Sequence, residues 1–94
     1  MSVWPTKQMK RSLGEKGFRQ DNTHHEMFWL YVGGRRTSIR TRISHGAKEY
    51  NDSLLAMVAK QVRLRRADLD DLIECSLTGE DYLKLLTEQG HVKL

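Results

Sequence analysis

The Gly33-Gly34 pair constrains the fold of this chain more than any other feature, because it separates two segments with strand character. Residues 24–32 read HHEMFWLYV, a run rich in aromatic and β-preferring side chains. Residues 35–43 read RRTSIRTRI, in which threonine and isoleucine alternate with serine and arginine. Two adjacent glycines supply the positive φ values of a two-residue hairpin turn. The sequence therefore predicts an antiparallel hairpin.

A two-residue turn also determines which side chains share a face of this hairpin. The uniform register that starts from Val32 opposite Arg35 contains these further pairs: Leu30 with Thr37, Phe28 with Ile39, and His24 with Ile43. One face is then apolar and suits burial under a helix: Val32, Leu30, Phe28, Ile39 and Ile43.

The opposite face of the predicted hairpin combines aromatic and basic side chains. It carries Tyr31, Trp29, Met27 and His25 beside Arg36, Ser38, Arg40 and Arg42. Aromatic rings interleaved with guanidinium groups suit single-stranded RNA, because bases stack on rings and phosphates pair with arginine. The candidate RNA-binding residues are therefore Trp29, Tyr31, Arg36, Arg40 and Arg42.

Two alternatives to this open face remain. The C-terminal helices can cover Met27, Trp29 and Tyr31, with the arginine stems packed alongside. A three-residue turn would instead slip the register by one residue and exchange the two faces.

Helical patterns flank the hairpin on both sides. Residues 7–16 form a short predicted helix with Thr6 as its N-cap and Gly17 just after its end, followed by a short extended segment at residues 18–22. A second helix begins at Asn51, Asp52 or Ser53 and runs to about residue 64. Its predicted apolar stripe is Leu54, Leu55, Val58 and Val62.

Two more helices follow in the last third of the chain. Residues 67–74 present Leu69, Leu72 and Ile73 on one side. Thr78 and Asp81 have the spacing of a capping box and open a last helix, after which Gly90 stands. The apolar residues of that helix are Tyr82, Leu83, Leu85 and Leu86.

The order of these elements predicts an α+β fold of the type α-β-β-β-α, with a three-stranded antiparallel sheet, helices packed on it and a C-terminal helical extension. The chain has 94 residues, which suffices for one modest core. No repeat or linker divides it. We therefore expect one domain over residues 1–94, with a core at 6–66 and an acidic helical extension at 67–94.

Charge is divided unevenly along the chain. Residues 1–66 hold 14 lysines and arginines against 5 acidic residues, a net charge of +9, whereas residues 67–94 hold 2 against 7, a net charge of −5. A basic field of this kind attracts polyanions, nucleic acid first and an acidic protein second. No window is apolar enough to span a bilayer and no signal pattern is present, so we expect a soluble, cytoplasmic protein without a membrane partner.

The residue types that bind metals are too scattered to predict a metal site. Cys75 is the single cysteine, which we expect to be a small buried side chain. His24 and His25, as neighbours on a strand, would point to opposite faces and could not readily chelate one metal. His45 and His91 lack the spacing of a zinc motif. We therefore expect no cofactor, and catalysis, if any, by imidazole acid/base chemistry.

The motif Asn22-Thr23-His24-His25 at the start of the second strand, after a short helix and Gly17-Phe18, resembles that of the HicA toxins of prokaryotic toxin-antitoxin pairs. This resemblance covers residues 6–66. It implies a fold similar to double-stranded-RNA-binding domains and a metal-independent ribonuclease of messenger RNA that a HicB antitoxin holds inactive. The family's Gly-Ser is replaced here by Asn22-Thr23.

Together these features favour a toxin-like endoribonuclease with His24 or His25 as its catalytic base. Motif position favours His24, whereas the hairpin geometry places His25 on the basic face. One alternative is a non-catalytic RNA-binding or regulatory module of the same fold. Another is an interaction protein whose acidic C-terminal helices fold over its own basic sheet.

Overall fold

The computed structural model describes residues 3–92 and shows the α+β fold that the sequence predicts. Three strands form an antiparallel sheet in the order β2-β3-β4, and a second sheet consists of the two-residue strands β1 and β5. The elements are β1 (Trp4–Pro5), α1 (Thr6–Glu15), β2 (Phe18–Gln20), β3 (Met27–Val32), β4 (Arg35–Arg42), β5 (Glu49–Tyr50), α2 (Asp52–Gln61), α3 (Arg66–Ile73) and α4 (Gly79–Glu88).

The predicted two-residue turn connects β3 and β4. Gly33 and Gly34 have φ values of +59° and +81°, which match a turn that needs left-handed backbone at both positions. Val32 pairs with Arg35 across the turn, as the sequence indicates. The two strands therefore start in the expected register.

The uniform register expected for the rest of the hairpin is wrong. The pairing shifts between Trp29 and Tyr31, so that Phe28 lies opposite Thr41 rather than Ile39. A threonine side chain accounts for the irregularity: Thr37 Oγ1 donates to the Leu30 carbonyl at 2.8 Å and accepts from the Ile39 amide at 3.2 Å. This hydroxyl replaces part of the backbone ladder.

The shift changes the partners but preserves the two faces, because it displaces the register by two residues rather than one. Ile39, Thr41 and Ile43 are still buried, and Arg40 and Arg42 are still exposed. The predicted apolar face is therefore the side of the sheet that meets the core.

The helices pack against this apolar face. Phe18 of β2 stacks on Tyr82 of α4, with ring centroids 6.0 Å apart. Tyr82 also donates its hydroxyl to the Val62 carbonyl at 2.8 Å, and burial raises the pKa of this phenol. Buried residues of all four helices and of the sheet form one core: Met9, Leu13, Phe18, Phe28, Leu30, Ile39, Ile43, Tyr50, Leu55, Val58, Ala59, Val62, Leu69, Leu72, Ile73, Tyr82, Leu86 and Val92.

Because α3 and α4 contribute to this core, they do not cover the opposite face of the sheet. Leu69 and Leu72 of α3 and Leu86 of α4 are completely buried within the same cluster as Phe28 and Leu30. Residues 67–92 are thus part of the packed structure on its apolar side.

The helix starts agree with the sequence at two of three predicted caps. Asn51 accepts from the Leu54 amide at 3.1 Å, and Thr78 accepts from the Asp81 amide at 3.1 Å. Thr6 as the N-cap of α1 is wrong. It is already the first helical residue, and its hydroxyl instead donates to the Ala47 carbonyl at 2.7 Å, tying α1 to the segment before β5.

Two side chains expected in the core are exposed. Leu54 is 38 % exposed because the buried stripe of α2 runs through Leu55, Val58 and Val62, and Leu54 lies on its flank. Cys75 is also exposed. It follows α3 with a left-handed φ of +72°.

Within residues 3–92, none of the helices has the length and apolar character needed to cross a lipid bilayer.

Candidate nucleic-acid interface

The side of the three-stranded sheet that faces away from the helices carries a set of basic and aromatic side chains, which we call the cationic face. Its members are Arg19, Met27, Trp29, Tyr31, Arg36, Arg40 and Arg42. The register places Arg19, Trp29 and Arg40 in one row across the sheet, because Trp29 pairs with both neighbours. A central aromatic strand is thus flanked by arginines on both sides.

Trp29 is the centre of this face. The guanidinium carbon of Arg36 lies 4.3 Å from the centroid of the Trp29 ring, and that of Arg40 lies 5.0 Å away. The Trp29 indole N–H donates to Asp21 Oδ2 at 3.2 Å, which fixes the orientation of the ring. Such cation–π contacts hold a guanidinium by its flat face and leave its N–H edges available to other acceptors.

A second contact of the same kind lies beside the first. Arg19 of β2 places its guanidinium carbon 4.5 Å from the centroid of the Tyr31 ring. Within residues 3–92 the arginines in ion pairs are Arg42, Arg65 and Arg66, so Arg19 has no acidic partner there. The same holds for Arg36 and Arg40.

The irregular register of β4 is what brings two arginines to Trp29. In the uniform register Trp29 would lie opposite Ser38, whereas in the structure it lies opposite Arg40. Arg36 lies opposite Tyr31, in the neighbouring pair of the ladder, and from there its guanidinium contacts the Trp29 ring. The sequence predicted that Arg36 and Arg40 share a face with Trp29 but could not predict that both would contact its ring.

His24 and His25 do not lie on β3, as the sequence had indicated, but in a loop before it. The Asp21 carboxylate accepts from the backbone amides of Thr23 at 2.7 Å and His24 at 3.1 Å. These hydrogen bonds, that from His24 contributing most, lower the pKa of Asp21. Because Asp21 caps the loop, the backbone at His24 turns instead of joining the ladder. The expected pairing of His24 with Ile43 is therefore wrong.

The ring of His25 is oriented by the same loop. Its Nε2 lies 3.0 Å from the Asn22 carbonyl oxygen, and its own carbonyl accepts from Gln20 Nε2 at 2.6 Å. A carbonyl oxygen can only accept, so Nε2 carries a proton. In the neutral ring Nδ1 is then an unprotonated acceptor. The ring of His24 is exposed, and it has no hydrogen-bond partner within the described part of the chain.

His45 joins His25 in space, although 20 residues separate them in the sequence. The two ring centroids are 6.5 Å apart, with the ring planes at 76°. His45 Nδ1 lies 2.9 Å from Lys10 Nζ, and since an ammonium can only donate, Nδ1 is the acceptor and the neutral ring carries its proton on Nε2. No fixed spacing in the sequence relates His45 to His25. The one feature of the sequence that could have indicated its approach to His25 is its position just beyond β4, opposite the start of β3.

Glu26 connects the histidines to the cationic face. Its Oε1 accepts from Arg42 Nε at 2.9 Å and Nη2 at 2.6 Å, and its Oε2 accepts from the His45 amide at 3.0 Å. The amide of His45 and then the guanidinium of Arg42 lower the pKa of Glu26. This carboxylate thereby holds a histidine and an arginine in fixed relation.

These residues line one shallow, open depression at the edge of the sheet, which we call the histidine cluster. Its lining residues are Thr23, His24, His25, Glu26, Met27, Arg42 and His45. The structure thus brings together His24, His25 and Arg42, while Trp29, Tyr31, Arg36 and Arg40 lie on the adjoining cationic face. Residues 3–92 contain no group of three or more His, Cys, Asp or Glu side chains placed to hold a metal ion.

No family model, curated protein or solved structure matches this chain.

Proposed function

We propose that this protein is an endoribonuclease that holds single-stranded RNA on the cationic face and cleaves it at the histidine cluster. The observation that carries the proposal is the Trp29 ring with Arg36 and Arg40 on it, on an open sheet face that continues into a cluster of three histidines. A face that only served solubility would have no need to stack its cations on rings.

Binding follows from the chemistry of the stacked arginines. Each guanidinium held against a ring keeps its N–H edge for a phosphate oxygen, and charge-assisted, bidentate contacts of this kind are the strong ones. The partly buried rings of Tyr31 and Trp29 offer their exposed surfaces to bases, and stacking tolerates any base. We therefore expect general affinity for single strands with weak sequence preference.

Cleavage would use the rings of the histidine cluster in distinct roles. His25 Nδ1 removes the proton from a ribose 2′-hydroxyl, the 2′-oxygen attacks the adjacent phosphorus, and the bond to the 5′-oxygen breaks as that oxygen takes up a proton. His45 Nε2–H and Arg42 can donate to the phosphate oxygens as charge develops on them. The exposed ring of His24 can, when protonated, supply the proton of the leaving group.

The resemblance to HicA toxins adds a biological setting to this proposal. It names messenger RNA in the cytoplasm as the substrate and a HicB-like antitoxin as the neutralising partner. The α-β-β-β-α order and the Asn22-Thr23-His24-His25 motif support it. Motif position assigns the base to His24, whereas the ring hydrogen bond to Asn22 favours His25.

A non-catalytic RNA-binding module is the second candidate function. The observation that favours it is that two of the three rings already serve local structure, His25 through Asn22 and His45 through Lys10. In this case the cationic face binds RNA and the histidines only shape the loop beside it.

The test is incubation of the protein with a single-stranded RNA in EDTA. The proposal predicts cleavage to 2′,3′-cyclic phosphate ends, and no cleavage where the ribose at that position is replaced by deoxyribose. His25→Ala should lower the cleavage rate by about 10²–10⁴-fold with RNA affinity nearly unchanged, and His24→Ala tests in the same assay whether that ring donates the proton of the leaving group. RNA that is bound but stays intact with the wild-type protein would support the second candidate instead.

A further inference from the structure

A second basic surface lies around the edge of β4, in a groove between this strand and the C-terminal half of α2. We call it the β4–α2 groove. Its lining residues are Met27, Ser38, Arg40, Thr41, Arg42, Met57, Lys60, Gln61 and Arg63. The groove is open to solvent and shares Arg40, Arg42 and Met27 with the cationic face.

The groove has a fixed floor. Thr41 of β4 is 1 % exposed and donates its hydroxyl to Gln61 Oε1 of α2 at 2.7 Å, which joins the two walls. The spacing between the basic groups on the two walls is therefore set by the fold. A groove whose walls are held in this way can receive a ligand without first being ordered.

The positive charges of the groove are largely unneutralised. Lys60, Arg63 and Arg40 are exposed and have no acidic partner within residues 3–92, whereas Arg42 is paired with Glu26. The C-terminal end of α2 presents backbone carbonyls, which disfavour an anion. Lys60 and Arg63 stand at this end and reverse the sign of its field.

The backbone at Arg63 adopts a conformation that residues with a side chain rarely take. Its φ is +65°, in the left-handed region where glycine is the usual residue after a helix. A side chain at such a position costs stability. Arginine here projects a charge from the turn at the end of α2.

We propose that the β4–α2 groove binds the phosphate backbone of the same single-stranded RNA that the cationic face binds, and so extends the binding track around the edge of β4. This inference rests on the proposed RNA binding. Arg40 makes the track continuous, because it contacts Trp29 on one side and lines the groove on the other. Met57, which is 58 % exposed, offers an apolar contact for a ribose or base.

An acidic protein segment is the competing occupant of a basic groove. The groove is continuous with the aromatic rings, and this favours RNA, because an RNA chain that passes from Trp29 along Arg40 enters the groove directly. The two occupants predict different effects of the groove substitutions on RNA affinity and on the capture of an acidic peptide.

The test compares two doubly substituted proteins that lose the same amount of positive charge. Lys60→Gln/Arg63→Gly removes two charges from the groove, and Arg11→Gln/Lys84→Gln removes two exposed charges from α1 and α4. Binding to a polyuridine of about 12 nucleotides is measured by fluorescence anisotropy at several salt concentrations. Thermal melts are recorded for both proteins.

We expect the groove variant to bind roughly tenfold or more weakly at low salt, while the control changes little. The slope of log affinity against log salt should fall by about 1.4 in magnitude, which is about 0.7 for each of two lost phosphate contacts. The Tm of the groove variant should change little, since glycine relieves the left-handed position while the loss of Lys60 removes a favourable charge from the C-terminal end of α2. Weaker binding therefore cannot be attributed to unfolding.

Several outcomes would overturn the inference. Equal RNA affinity in the groove variant and the control would show that the groove takes no part, while loss of binding in Arg36→Gln/Arg40→Gln would leave the proposed RNA binding intact. Failure of the wild-type protein to bind RNA would overturn both. Unchanged RNA affinity together with lost capture of an acidic peptide such as polyglutamate would assign the groove to a protein partner.

Discussion

Asp21 and Glu26 stand at the two ends of the loop that carries His24 and His25, and each accepts hydrogen bonds in the same way. Each carboxylate accepts a backbone amide of a histidine, Asp21 from His24 and Glu26 from His45. Each also binds a side chain of the cationic face, Asp21 the indole of Trp29 and Glu26 the guanidinium of Arg42. Two acidic residues thereby position the histidines relative to the rings and arginines.

The pH dependence of stability tests this role for Glu26. Its pKa lies below the ordinary value of 4.5, chiefly because of the His45 amide and then Arg42. A folded-state pKa that is depressed adds stability above the unfolded-state pKa, and this stability is lost as the pH falls through the folded-state pKa. We expect Glu26→Gln to have a lower Tm than the wild-type protein near neutral pH, with the difference shrinking in acid.

Thermal melts of both proteins between about pH 7 and pH 3 measure this difference. A Tm gap that stays constant over the range would mean that the carboxylate charge of Glu26 does not hold the loop.

At the scale of elements, the β3–β4 hairpin determines the geometry of the cationic face. Its turn requires two residues with positive φ, which Gly33 and Gly34 supply, and its two faces follow from strand alternation. Its irregular register places Arg40 opposite Trp29. The side chain of Thr37 takes over backbone hydrogen bonds from the ladder at this point. Without this irregularity Ser38 would occupy the place of Arg40.

Substitution of two neighbours on β3 separates binding from stability. Phe28 is 5 % exposed in the core, so Phe28→Ala should lower the free energy of unfolding by about 3–5 kcal/mol. Trp29→Ala should cost less stability, because the ring lies half-buried on the cationic face, and should weaken RNA binding by removing the support of two arginines.

Chemical denaturation and an RNA titration of each variant check this pair. If Phe28→Ala and Trp29→Ala lose the same stability, the Trp29 ring contributes as much as a core side chain. Unchanged RNA affinity in Trp29→Ala would exclude its ring from the interface.

The features that the sequence predicted correctly share a simple physical origin. The hairpin turn required two positive φ values at Gly33 and Gly34, and the buried face of β4 followed from alternation at Ile39, Thr41 and Ile43. Helix α4 was marked by the cap at Thr78. Each of these depends on one residue and its near neighbours.

The features that the sequence did not predict arise from side chains that compete with the backbone. Asp21 draws His24 out of β3, Thr37 shifts the register, and Thr6 bonds to a distant carbonyl instead of capping α1. Hydrophobic periodicity gives no information about such hydrogen bonds. The approach of His45 to His25 depends on the paths of two loops, which no spacing in the sequence determines.

For the whole molecule, the division of charge along the sequence becomes a division in space. The acidic helices α3 and α4 contribute their apolar sides to the core, which lies on the side of the sheet opposite the arginines. Within the described chain, acidic side chains of α3 pair with Arg65, the residue before this helix, and with Arg66, its first residue. The cationic face is therefore not covered by the C-terminal helices, contrary to the arrangement that self-inhibition would require.

We propose that the cationic face binds RNA through phosphate contacts, and such binding should weaken steeply as the salt concentration rises. The affinity for a single-stranded RNA of about 12 nucleotides is measured between about 50 and 200 mM salt for the wild-type protein and Arg36→Gln/Arg40→Gln. We expect a steep linear fall of log affinity with log salt for the wild-type protein, and weaker binding with a smaller slope for the variant. An affinity that is flat over this range, or a slope that the two substitutions leave unchanged, would contradict it.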